Sequence, residues 1–179
     1  MKLNNMIRYL FALVVIIGFN DVKSQNIEYK QKMDSLFNEL EKLHKPTPKS
    51  PSLPTEKEIK EFELKHKIKF PESFRIFLLR YSNLNVGHYE PFMINKPEYP
   101  YLDFDEGVKD ARAMDLPTRY FPFLHDNSDY FCFDLNSNKP DYEVIYWSHD
   151  GMFKEERWNN FLDWVENCWI IETKERLND

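Results

Sequence analysis

The sequence predicts an α+β single domain, with a central antiparallel sheet flanked by N-terminal and C-terminal helices. Three observations carry that expectation. Apolar residues recur at helical spacing toward both ends of the chain, three runs between residues 120 and 149 are strand-like, and turn residues separate those runs. At 179 residues, 42% hydrophobic and 16% aromatic, the chain can fill one core. Its 24 Lys and Arg against 30 Asp and Glu give a net charge of −6, with no long basic run. Such a chain is poorly suited to a phosphate backbone, so no nucleic acid partner is expected.

Residues 1–24 have the plan of a secretory signal peptide. Lys2 and Arg8 precede the apolar run Tyr9 to Phe19, a polar stretch follows, and Val22-Lys23-Ser24 sets the expected cut between Ser24 and Gln25. Eleven helical residues rise about 16 Å, roughly half a hydrocarbon core, which is too short to span. Export to the periplasm or the medium is the expectation, with no stable membrane span after signal removal. An N-terminal membrane anchor is the alternative. Losing Lys2, Arg8, Lys23 and Asp21 leaves 21 basic and 29 acidic residues, a mature charge of −8.

Residues 25–53 read as an N-terminal amphipathic helix and a proline-rich linker. Met33, Leu36, Phe37, Leu40 and Leu43 mark one face of a helix over 27–44. Four prolines in Lys45–Pro54 then stop it and favour an extended connector. On this reading the first helix is an appendage to the domain that follows. Thr55-Glu56-Lys57-Glu58 is a capping-box pattern that starts a second helix, with Ile59 and Phe62 on its buried face. Pro71 and Glu72 suit the first turn of a third, which buries Phe74, Phe77, Leu78 and Tyr81.

Residues 88–102 mix aromatics and prolines without a sustained period and read as a strand or extended loop, and Asp103 to Met114 as a short helix. Tyr120 to Leu124, Asp129 to Leu135 and Tyr142 to His149 read as an antiparallel meander. Asp126-Asn127-Ser128 and Asn136 to Pro140 form its turns. A last helix is expected from about Glu155 to Arg176, with Trp158, Phe161, Leu162, Trp164, Val165 and Cys168 on a broad apolar face. Cys132 and Cys168 read as buried free thiols, a bridge between them staying open.

Several of these segments resemble the SUKH superfamily. Pro-Thr-Glu-x-Glu-Ile-x-x-Phe-Glu and Ile-Lys-Phe-Pro-Glu-Ser-Phe-Arg within Pro54–Tyr81 are similar to its opening helix pair. Phe121 to Asp134 resembles its central hairpin, Val144 to Asp150 its next strand, and Trp158 to Val165 its C-terminal helix. The resemblance implies a SUKH-like α+β domain over 54–179 that works as a binding module. Most often such a module is an immunity protein that neutralises a partner toxin, and related domains act in cell-wall assembly regulation.

Residue chemistry points the same way. Asn26 to Ser82 holds 12 basic and 9 acidic residues, whereas Asp103 to Asp150 holds 11 acidic and 4 basic. An acidic sheet half would speed encounter with a basic protein partner, such as a basic toxin. The candidate contacts are Asp103, Asp105, Glu106, Asp126, Asp129, Asp134 and Asp150. Tyr130 and Trp147 are either aromatic anchors or core residues. No catalytic residue, metal site or cofactor is predicted: Cys132 has no nucleophile motif, Ser148-His149-Asp150 is a strand end, and Asp126 to Asp129 lacks the ligand pattern of a calcium loop. Two other classes stay open. One is a small envelope hydrolase using sheet-edge carboxylates with His125 or His149, and the other a structural envelope component assembled through residues 27–44.

Overall fold

The computed structural model describes residues 25–47, 50–94, 99–137, 140–152 and 156–178. Residues 1–24, read above as a signal peptide, lie outside them. The chain divides into two compact units, Met1–Ser35 and Leu36–Asp179. In the first unit, residues 25–35 are helical; in the second, helix α1 covers 36–43.

Helix α2, Glu56–His66, starts at the capping box the sequence announces. Glu58 N–H donates to Thr55 Oγ1 at 3.3 Å, and Thr55 N–H donates to Glu58 Oε2 at 2.7 Å. It ends at Lys67, in the left-handed region at φ 54. Helix α3, Glu72–Arg80, follows Pro71, and α4, Phe104–Ala113, is capped by Asp103, which accepts from the N–H groups of Asp105 and Glu106. Among the described residues of 88–102, Tyr89, Pro91 and Met93 form isolated bridges and Pro100–Leu102 a short 3₁₀ turn.

The sheet is a four-stranded antiparallel meander in the order β1-β2-β3-β4. Its strands are β1, Tyr120–Asp126; β2, Asp129–Asp134; β3, Val144–Trp147; and β4, Arg157–Trp158. A bulge between Pro122 and Leu124 shifts the register of β1 against β2. Simple alternation would put His125 on the core face with Phe121 and Phe123. The extra residue instead sets Leu124 opposite Phe131 and turns His125 to Tyr130.

The core is aromatic. Phe74 is fully buried and meets Phe70, Phe104, Phe123, Phe133 and Phe161 at ring-centroid distances of 5.0 to 6.3 Å. Tilted and edge-on rings of this kind favour contact beyond area alone. The opposite face of β2 carries Tyr130, whose hydroxyl lies 3.7 Å from Met114 Sδ beyond the end of α4.

Two expectations change. The first helix is not an appendage over its whole length: Leu36, Phe37 and Leu40 are buried, and Phe37 packs on Tyr81 at 4.9 Å and Phe77 at 6.2 Å. Pro51 and Lys45 of the linker accept at their carbonyls from the side chains of Asn83 and Asn85. The last helix begins at Phe161, not near Glu155, because Arg157–Trp158 pairs with β3 and Asn160 caps the helix by accepting from Asp163 N–H at 3.0 Å. That helix then widens into a π-helical stretch, Val165–Ile170, and continues as Ile171–Asn178. We label its parts α5, Phe161–Trp164, and α6, Ile171–Asn178. Cys132 and Cys168 are free and buried, and burial pushes both thiols up.

Candidate partner-binding surface

The predicted acids do not form one face; they fall at three places. Asp103, Asp105 and Glu106 open α4. Asp103 is 9% exposed and serves as the cap. Asp105 accepts from Lys65 at 2.8 Å and from His66 at 2.6 Å, and Glu106 pairs with Lys109. Burial alone would raise the Asp105 carboxyl, but the bonds from Lys65 and His66 outweigh it and hold the group below the usual carboxylate range. Asp134 stands at the far end of β2, 6% exposed, and meets Arg157 at 3.2 Å while Arg157 also holds Glu143.

The remaining acids gather where the β1–β2 hairpin turns and β3 ends. Asn127 takes the left-handed conformation, φ 57, that the turn requires. Across the pairing of Tyr130 with Trp147, the turn after β3 folds over the same end of the sheet. There Asp129 works inward. It is 6% exposed and accepts from Tyr146 hydroxyl at 2.9 Å, His149 N–H at 2.9 Å and His149 Nδ1 at 2.8 Å. Burial opposes ionisation of Asp129, but these bonds overcome it and hold its carboxyl low. In return, burial and the nearby Asp129 carboxylate push the Tyr146 phenol up.

Asp126 and Asp150 are different. Asp126 is half-buried and bonded by its neighbour Asn127, and Asp150 is exposed and accepts from Ser148 hydroxyl and Met152 N–H. Both are held within their own turns and keep their charge at the surface. Trp147 stays half-buried, 6.2 Å from the Tyr130 ring, whereas Tyr130 is only 4% exposed. Burial corrects four of the predicted contacts: Asp103, Asp129, Tyr130 and Asp134 cap, pair or pack, and offer a partner little surface.

Two neighbours were missed. Met152 is 77% exposed beside Asp150, and exposed Asp110 lies near enough to the Tyr130 phenol to help push it up after burial. An apolar residue in the polar turn Asp150-Gly151-Met152 was a readable signal for the first. Asp110 gave none, because its place beside β2 depends on how α4 packs.

The geometry also bears on catalysis. Ser148 hydroxyl donates to Asp150 at 2.8 Å, while His149 turns to Asp129, so the three consecutive residues form two separate pairs. His125 stacks on Phe92 at 5.6 Å.

Comparison with known proteins agrees with this fold. Residues 33–170 match the SUKH family model described as SMI1-KNR4 cell-wall. A crystal structure of a protein from Pseudomonas syringae pv. tomato is similar, with a TM-score of 0.66 and 25% identity over 77% of this chain and 98% of that one. No curated protein matches the chain. With the family model covering most of its length and the same meander and flanking helices in place, this chain belongs to the SUKH family.

Proposed function

We propose that this chain is a non-catalytic, immunity-type module that neutralises a basic protein toxin through the hairpin end of its sheet. The observation that carries the reading is that half-buried Asp126 and exposed Asp150 keep their charge at the hairpin end of the sheet, the end that also carries half-buried Trp147 and exposed Met152. Most other predicted acids are engaged in caps or ion pairs. Negative charge around a few aromatic and apolar contacts favours fast encounter with a basic surface and a desolvated anchor once bound. Family membership supports a protein partner and a role in binding rather than chemistry.

The test uses the mature chain from Gln25 as bait, paired with an Asp126→Lys/Asp150→Lys variant. A captured basic protein should associate at least about tenfold more slowly with the variant at low salt, at an unchanged unfolding midpoint. Equal rates for both chains, or rates indifferent to salt, would take this surface out of the interface.

The reading includes export, supported by the charged, apolar and polar order of residues 1–24. The expected mature N-terminus is Gln25, checked by mass spectrometry of the native protein. An intact Met1 on a membrane-bound protein would favour the anchored alternative. Among the described residues no helix is long and apolar enough to cross a membrane.

A further inference from the structure

The connection between α2 and α3 presents two lysines on one side. Lys67 closes α2, Ile68 and Phe70 are buried at 8% and 1% exposure, and the alternation leaves Lys67 and Lys69 in solvent. Together with Ile68, Pro140 and Tyr142 they line a cleft of about 590 Å³. Among the described residues neither ammonium pairs with a carboxylate. The acid one turn back, Glu63, is held elsewhere: it accepts from Phe70 N–H at 2.8 Å and from Arg75 at 2.5 Å.

Tyr142 supplies the second, independent observation. It is 5% exposed, its ring lies 6.2 Å from Phe133, and its hydroxyl has no hydrogen-bond partner among the described residues. The unpartnered polar atoms that are fully enclosed are Ser73 Oγ, Trp164 Nε1 and Thr173 Oγ1. Tyr142 hydroxyl is not one of them, and its residue lines the cleft. A hydroxyl without a protein partner is free to donate to a group bound beside it.

We propose that this cleft binds a phosphate group, with Lys67 and Lys69 Nζ and the Tyr142 hydroxyl as its donors. Two ammonium groups and a neutral donor match a tetrahedral dianion in charge and in hydrogen-bonding capacity. The cleft is open and roomier than inorganic phosphate requires. Ile68 and Pro140 therefore offer apolar contact to the organic part of a phosphate monoester. Tyr142 precedes β3, whereas Trp147 ends it, so this site and the proposed partner surface lie at opposite ends of one strand.

The experiment titrates the mature chain with inorganic phosphate and with phenyl phosphate, at constant ionic strength set by chloride, following backbone amide shifts by NMR. Saturable shifts confined to residues around Lys67–Phe70 and Pro140–Glu143 are expected. Tighter binding of phenyl phosphate would assign the site to an ester, and equal affinities to the free anion. A Lys67→Gly/Lys69→Gln variant should lose the response, glycine being at ease at the positive φ of position 67. Tyr142→Phe should weaken binding about tenfold, the effect of one hydrogen bond to a charged group, without lowering stability in the absence of anion. No saturable response to either probe, or an unchanged affinity in the lysine variant, would overturn the proposal.

Discussion

Asp129 illustrates what a single letter conceals. In the sequence it is one acid of a polar turn; in the fold it is a nearly buried acceptor that ties Tyr146 and both a ring and a backbone nitrogen of His149 to the hairpin. Replacing it with lysine would break this network rather than repaint a surface, so charge reversal belongs at Asp126 and Asp150. Asp129→Asn should cost about 1–3 kcal/mol near neutral pH, the usual range for disturbing a buried acceptor. The sign of its pH dependence follows from its lowered carboxyl. A group whose folded pKa lies below its unfolded value contributes fully above about pH 4 and loses that contribution as pH falls through the folded value. Denaturation of wild type and Asp129→Asn should therefore diverge at neutral pH and converge in acid. A constant gap across that range would mean that the carboxylate's charge is not what the network uses.

Elements were legible where local chemistry decides them. Thr55 with Glu58, Asp103 before α4 and Asn127 in the hairpin each act on neighbours within a few residues, and each does in the fold what its type and position announce. Asn160 with Asp163 carries the same kind of start signal, but the aromatic run through Trp158 overrode it, and β4 was read as helix. Two residues make β4 a strand only because β3 lies alongside, a partner no local pattern reports. Helix α1 makes the same point with more energy at stake. Its amphipathic stripe was visible, but not what covers it. Because Phe37 is fully buried against Phe77 and Tyr81, Phe37→Ala should destabilise the domain by about 3–5 kcal/mol, measured as a drop in the urea midpoint. An unchanged midpoint would restore the picture of a tethered appendage, and with it the assembly role suggested for that helix.

At the scale of the molecule, charge segregation in the sequence became two separate features rather than an acidic face and a basic one. Acids that keep their charge at the surface stand at the hairpin end of the sheet, and lysines without carboxylate partners among the described residues line the cleft with Tyr142. By itself the sequence determined the fold class, the main helices and the first three strands of the meander, because caps, turns and hydrophobic periods act over a few residues and survive any tertiary arrangement, and its motifs carried the family resemblance. Only the tertiary structure decided which acids remain available. An aspartate is equally acidic as a cap, as a buried hydrogen-bond hub or as a solvated charge, and the partners that distinguish these roles stand far off in the chain, as His66 does from Asp105 at a separation of 39 residues.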